Sequence, residues 1–261
     1  MLEISSKDNP KIKLYQKLSE SKKHRRETGM FTLEGLRLIK DAVSENAVLH
    51  CAFITESCIA KHSEMLYFLP EYLSDKIHII TDEIAKKLSD TENSQGMFAI
   101  CNTLDNYNFS DKIKNGNKFI LLDNLQDPGN IGTIIRTADA VGIDAIITVS
   151  CCDIYNPKVI RSTMGSLFRM PIFDMPLDDA FLHFNNDNIT SFAAVIDNDA
   201  ISLDNCDFGE KAVVCIGNEG NGLSENTIKL CTHKLTIKMH GNINSLNAAM
   251  AAGIIMWELA K

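Results

Sequence analysis

Three short stretches of the chain concentrate the residue types that hold small ligands. The first, QDPGNIGTIIRTADAVG (residues 126–142), follows the apolar run FILLDNL and reads as a tight turn opening into a helix. Asn130 is placed to cap that helix by taking a free backbone N–H on its side-chain oxygen. Ile131, Ile134, Ile135 and Ala138 share one helical stripe, and Arg136 falls well off it, turned away from any sheet the helix covers. The second stretch, IGNEGNGLS (216–224), sets Gly217, Gly220 and Gly222 around Glu219. Glycines permit positive φ and let a ligand come close to backbone. The spacing reverses the dinucleotide fingerprint and lacks the terminal G-K-[ST] of a phosphate loop. The third, IKMHGNINSLN (237–247), leads through Ser245, read as a helix cap, into AAMAAGIIMWEL. Small residues there allow close packing on a neighbouring backbone or on another subunit. Taken singly, each stretch has an ordinary explanation, because surface arginines, capping residues and turn glycines are common.

The elements that must position these stretches alternate in type. Beyond residue 118, short strands at 119–122, 145–149, 172–173, 191–195, 212–216 and 234–237 alternate with helices at 131–141, 157–166, 180–184, 225–230 and 246–259. Strands that are apolar on both faces predict a parallel sheet covered on both sides. Ligands gather at the carboxyl ends of such strands, where all three stretches lie. Residues 1–104 predict a smaller α/β domain. Asn9-Pro10 starts a helix with the stripe Ile12, Tyr15 and Leu18, and Gly29 stops the basic segment that follows. Strands are expected at 31–33, 48–55, 66–69, 77–81 and 96–102, with helices at 36–43 and 83–88. Residues 105–117, polar and without apolar periodicity, read as a linker.

Bulk properties narrow the function classes. No apolar run approaches the roughly 20 residues that cross a bilayer, and the N-terminus has no apolar core of an export signal, so no membrane role and a cytoplasmic location are expected. The eight cysteines form no C-x-x-C pair and sit mostly in apolar runs such as AVVCI, which predicts buried thiols in a reducing compartment and no metal site. The net charge of −8 argues against a polyanionic partner until its distribution is read. The first 40 residues hold ten lysines and arginines against five acids, a local charge of +5 on a remainder of −13. Lys22, Lys23, Arg25 and Arg26 are its densest part and the candidate contacts of a polyanionic partner; a solvated lysine-rich helix explains them equally well.

In order and spacing, NLQDPGNIGTIIRTA, IGNEGNGL and IKMHGNINSLN resemble the three motifs of the SpoU/TrmH family of S-adenosylmethionine-dependent RNA ribose methyltransferases, within the SPOUT superfamily. NPKIKLYQKL, KKHRRETGMFTLEG and SQGMFAI are similar to the RNA-binding domain that precedes the catalytic domain in the longer ribosomal RNA members. The resemblance implies an N-terminal RNA-binding domain (1–104), a linker (105–117) and a catalytic α/β domain (118–261) with a parallel sheet and a deep trefoil knot, against the usual rule. It implies a homodimer with the active site beside the interface. Gly217, Ile237, Met239 and Leu246 would hold S-adenosylmethionine; Arg136 would meet the target ribose, and Asn130, Glu219, Ser245 and Asn247 would order the site. A ribose 2′-hydroxyl is a poor nucleophile that must be oriented and relieved of its proton. A guanidinium can clamp the adjacent phosphate and stabilise the developing oxyanion, but it holds its own proton too firmly for a base. Two departures from the family pattern stand out: Lys238 replaces the usual Pro, and Ala248-Ala249 replaces Val-Ser. The implied reaction is 2′-O-methylation of structured RNA, with 23S ribosomal RNA as the expected substrate. A tRNA methyltransferase, a non-catalytic RNA-binding factor and a nucleotide-dependent metabolic enzyme are the alternatives.

Overall fold

Residues 2–104, 107–241, 243 and 245–261 are described by the structure, a computed structural model. Contacts group the chain into two units, Met1–Leu104 with Tyr155–Phe168, and Asp105–Ile154 with Arg169–Lys261.

The first unit is built on a five-stranded sheet of β1 (Leu2–Ile4), β2 (Met30–Glu34), β3 (Leu49–Thr55), β4 (Ile77–Ile80) and β5 (Met97–Asn102), in spatial order β1-β4-β3-β5-β2. β1, β4 and β3 run parallel, and β5 is antiparallel to both β3 and β2. The helices are α1 (Pro10–Glu20), α2 (Lys22–Thr28), α3 (Leu36–Ser44), α4 (Glu56–Lys61), α5 (Met65–Phe68) and α6 (Asp82–Leu88). Asn9 caps α1 by accepting the Lys11 N–H, and Pro10 supplies the pre-set φ of a first helical residue. This aims Ile12, Tyr15 and Leu18 at the sheet, where the Tyr15 ring meets Phe53 and Phe98 edge-on at 6.1 and 5.7 Å. α2 stops at Gly29 in the left-handed region, φ 61°.

Of residues 66–69, expected as a strand, 66–68 lie instead in the single helical turn α5. Met65 is buried there while Tyr67 is 90% exposed. So short an apolar run has no period of its own, and Pro70 forces Leu69 to extended backbone (ψ 134°), ending the turn. β1, not expected from sequence, turns only Ile4 inward. Residues 155–168, assigned from sequence to the C-terminal domain, group with the first unit. The Tyr155 ring packs on Phe31 at 4.6 Å, its hydroxyl accepts the Leu104 N–H (2.8 Å), and Arg161 pairs with Asp90 (3.3 Å).

The second unit begins with α7 (Phe109–Asn115), inside the stretch read as a linker. Asn108 caps it, Ile113 is buried, and Phe109 sits 4.9 Å from the rings of both Phe173 and His183. Two apolar residues one turn apart were too few to register as a period. Asp105 and Asn106 of that stretch lie outside the described residues. Seven strands follow: β6 (Lys118–Asp123), β7 (Ala145–Val149), β8 (Ile172–Asp174), β9 (Thr190–Ala194), β10 (Ile201–Ser202), β11 (Ala212–Ile216) and β12 (His233–Thr236). Their order is β10-β12-β9-β11-β6-β7-β8, and every pair is parallel. The remaining helices are α8 (Pro128–Val141), α9 (Pro157–Thr163, grouped with the first unit), α10 (Leu177–Asn186), α11 (Glu225–Leu230) and α12 (Ala248–Leu259). Every residue of β7 and β11 is buried, as a sheet covered on both faces requires. From β6 the chain moves to β7 on one side; from β11 it moves to β12 on the other. The neighbours β6 and β11 therefore flank a topological switch point, and the crevice beyond their carboxyl ends is where such sheets bind ligands. Among the described residues no helix is long and apolar enough to cross a membrane.

Candidate active site

The carboxyl ends of β6, β11 and β12 carry the three motif loops. α8 starts earlier than sequence suggested: Asp127, not Asn130, is its cap, accepting the Asn130 N–H on Oδ1 (2.8 Å), with Pro128 at the first helical position. The side chain of Asn130 is thereby free for other work. Its Nδ2 donates to Glu219 Oε1 (3.1 Å) and its Oδ1 accepts from Asn247 Nδ2 (2.9 Å). Likewise Asn247, not Ser245, caps α12, taking the Ala249 and Met250 N–H groups on Oδ1 at 2.9 and 3.2 Å. Ser245 remains on the preceding loop. A short chain of amide and carboxylate bonds thus ties the first loop, the second loop and the start of α12 together.

Glu219 is the hub. Its carboxylate also accepts from the backbone N–H of Gln126 (3.3 Å) and Asp127 (3.1 Å) and from Asn218 Nδ2 (3.3 Å). Burial pushes its pKa up, but hydrogen bonds from Asn130 and from backbone N–H groups outweigh this and hold the carboxyl below its ordinary value.

The second loop closes on itself. Asn218 and Gly222 exchange both backbone hydrogen bonds at 2.9 Å, and Asn218 Oδ1 accepts from the Gly220 and Asn221 N–H groups (2.9 and 3.2 Å). Asn218 Nδ2 also donates to the Asn124 carbonyl (2.8 Å). At Gly217 a side chain has no room, since a Cβ would lie 2.1 Å from Gly222 C and Leu223 N. Buried Asp123, ending β6, accepts the Ser224 N–H (3.1 Å) and the Thr227 hydroxyl (2.6 Å), pinning the far end of the loop. Sequence reasoning missed Asp123, Asn124 and Asn218. The available signals were an acid closing an apolar strand and an asparagine between turn glycines.

These loops enclose a cavity of about 440 Å³ whose lining includes Gly217, Glu219, Ile237, Met239, Ser245 and Leu246. The four candidate donor-binding residues therefore share one cavity with two of the ordering residues, while Asn130 and Asn247 support it through Glu219. Asn242 and Asn244 of the third motif lie outside the described residues. Arg136 stands exposed on α8, outside the Asn130–Glu219–Asn247 chain, and its guanidinium has no hydrogen bond or ion pair among the described residues.

The basic cluster is altered in one respect. Arg25 is buried, 3% exposed, and its Nη1 donates to the carbonyls of Leu18 (2.5 Å) and Ser19 (3.0 Å) at the end of α1. It is a structural clamp and not a surface cation. Lys22, Lys23 and Arg26 are exposed, with Lys23 paired to Glu27 at 3.8 Å. All eight cysteines are free thiols. Burial pushes Cys51 up to about 11 and Cys101 and Cys151 up to about 12, which leaves these three without thiolate at neutral pH. Among the described residues no group of three His, Cys, Asp or Glu is placed to hold a metal ion.

The SpoU rRNA Methylase family model matches residues 117–257, and the MRM3-like substrate binding domain matches 9–99. The chain is 28% identical to the 23S rRNA (guanosine(2553)-2′-O)-methyltransferase of Bacillus subtilis, covering 99% of each. It is 30% identical to an uncharacterized tRNA/rRNA methyltransferase of Synechocystis, covering 98% of this chain and 92% of that one. The crystal structure of an AdoMet-bound rRNA methyltransferase from Sinorhizobium meliloti is similar at a TM-score of 0.88 and 27% identity, over 98% of this chain and 96% of that one. The chain belongs to the SpoU rRNA methylase family.

Proposed function

We propose that the protein transfers a methyl group from S-adenosylmethionine to a ribose 2′-hydroxyl of structured RNA, with 23S ribosomal RNA as the substrate. The observation that carries this reading is the hydrogen-bonded convergence of the three motif loops on one cavity, Asn130 to Glu219 at 3.1 Å and Asn130 to Asn247 at 2.9 Å. The residues present suit the donor. The cavity falls within the range of about 300–1,000 Å³ common to small-molecule sites. Gly217 offers bare backbone, and Ile237, Met239 and Leu246 offer apolar wall for an adenine ring. When bound, S-adenosylmethionine supplies an electrophilic methyl on a sulfonium that departs as a neutral thioether.

Arg136 is assigned to the ribose. An unpaired guanidinium on α8 can hold the phosphate next to the target nucleotide bidentately and stabilise the oxygen as its proton passes to solvent water. It does not serve as the base, given how firmly arginine keeps its proton. Asn130, Glu219 and Asn247 keep the loops in register, with Ser245 on the cavity wall beside them, so that methyl carbon and hydroxyl oxygen meet in line, which is the main demand of the reaction. The exposed Lys22, Lys23 and Arg26 add general attraction for phosphate.

Family membership also supports a deep trefoil knot in the segment after β12 and a homodimer. α12 favours the latter: Met250, Ile254 and Trp257, at helical spacing on one face, are 61, 40 and 62% exposed, an apolar stripe that a second copy would cover. The free thiols fit a reducing cytoplasm. Ribosomal RNA is preferred over tRNA because the likeness to the 23S rRNA enzyme runs through both units. The test is transfer of tritium from labelled donor to 23S rRNA, followed by digestion to nucleosides. Label is expected in a 2′-O-methyl nucleoside; label in a base, or none, would refute the assignment.

A further inference from the structure

The first unit holds a second cavity of about 430 Å³, nearly the size of the one between the motif loops. It lies where the parallel neighbours β3 and β4 end, so it occupies the same position in its sheet that the donor cavity occupies in the other. α4 contributes Ser57 and Lys61, α6 contributes Asp82 and Lys86, and the loop before β5 contributes Ser94 and Gln95.

This cavity is built. The Glu34 carboxylate accepts from the Ser89 hydroxyl (2.5 Å), the Asp90 N–H (3.0 Å) and the Thr91 hydroxyl (2.8 Å), fastening the loop to the end of β2. Gln95 Oε1 accepts the Leu36 N–H (2.9 Å). Gly96 turns into β5 at φ 75°, a conformation that L side chains rarely adopt, and a Cβ there would meet Thr55 Oγ1 at 2.3 Å.

Its two lysines are idle, while His62 of the lining faces Glu64 at 3.6 Å. Lys7, Lys13 and Lys23 are ion-paired, with Glu83, Asp8 and Glu27 respectively. Lys61 and Lys86, both exposed, have no hydrogen bond or ion pair among the described residues. Two exposed, unpaired ammonium groups at the mouth of a polar cavity offer an anion two contacts, beside a lining that also holds the carboxylates of Asp82 and Glu92. The wall is not purely cationic. Asp82 accepts the Ser57 hydroxyl at 2.9 Å through Oδ1, leaving its other oxygen open, and the Gln95 amide can still donate. Phosphate-binding cations beside acceptors and amide donors match a nucleotide, whose base edge carries both donors and acceptors. A continuous duplex keeps those edges stacked in its grooves, whereas an unpaired loop can splay one into a cavity.

We propose that this cavity receives a nucleotide splayed from an unpaired loop of the RNA substrate, with its flanking phosphates held by Lys61 and Lys86. The proposal rests on the RNA-methyltransferase reading and names where in the first unit the RNA is gripped. The experiment is a fluorescence-anisotropy titration of the full-length protein with two probes, a hairpin RNA with an open loop and the same sequence annealed as a continuous duplex, each over a series of salt concentrations. The wild type should bind the hairpin more tightly than the duplex. Lys61→Ala/Lys86→Ala should weaken hairpin binding about tenfold or more and lower the salt slope by about 1.4, as expected for two lost single-strand phosphate contacts. Its donor affinity and thermal midpoint should match the wild type, since both lysines are exposed and unpaired. Unchanged hairpin affinity and slope in the double variant would overturn the proposal and leave the RNA reading standing, as would a preference for duplex in the wild type. A wild type that binds neither probe would take the RNA reading down with it.

Discussion

The two units carry cavities of similar size at the same end of parallel strands, yet they spend their polar groups in opposite ways. In the second unit the polar side chains that join the motif loops are already committed: Asn130, Asn218, Glu219 and Asn247 bond to one another or to backbone, and Asp123 pins α11. In the first unit the bonds go into fastening the loop after α6, and the lysines at the mouth stay unpaired. Committed amides fix geometry; idle cations attract a flexible polyanion. A methyl transfer needs the first, and capture of RNA needs the second.

The contrast can be broken in order of expected effect. The largest belongs to Arg136→Ala. Loss of a group that acts on the developing oxyanion should lower kcat by about 10²–10³-fold, read as tritium transfer to RNA. Turnover near wild type would remove Arg136 from the chemistry.

Next comes Asp123→Ala, which leaves the Ser224 N–H and the Thr227 hydroxyl without their buried acceptor. Orphaned groups of this kind cost about 1–3 kcal/mol, to be read from urea unfolding, and donor affinity should fall alongside. The matching change in the first unit, Glu34→Ala, should weaken RNA binding and leave donor binding alone. If Glu34→Ala lowers donor affinity as much as Asp123→Ala does, the division of labour is wrong.

The smallest effect is a pH limb. Glu219 is held below its ordinary value, so its contribution to loop order is complete above the unfolded carboxyl pKa of about 4.3 and is lost as pH falls through the depressed folded value. Donor affinity measured by calorimetry should therefore hold at mildly acid pH and decline below it. Glu219→Gln should flatten that decline. An acid limb equally steep in the variant would place the titrating group elsewhere.

Much of the second unit was legible because its strands are short, apolar on both faces and evenly spaced, and because the ligand loops follow strands. The caps were misread for one reason. Asp127-Pro128-Gly129-Asn130 and Ser245-Leu246-Asn247 each offer two capping side chains, and spacing alone does not say which one is spent on the helix. The choice matters, since Asn130, excused from capping, becomes the bridge between Glu219 and Asn247. The first unit was less legible. α5 and β1 are too short to show a period, Arg25 looks like its exposed neighbours until its carbonyl partners at the end of α1 are seen, and Lys61 and Lys86 lie 25 residues apart in separate helices. Residues 105–117 hide a helix behind two apolar side chains.

The most direct test of the central claim is calorimetric titration of S-adenosylmethionine into the Gly217→Ala variant beside the wild type and Arg136→Ala. A methyl at residue 217 would sit 2.1 Å from the returning backbone, so that variant should lose donor binding. Arg136→Ala, altered only at the residue assigned to the ribose, should bind the donor as the wild type does. Donor binding that survives at Gly217→Ala and vanishes at Arg136→Ala, or a wild type that binds no donor at millimolar concentration, would contradict the account.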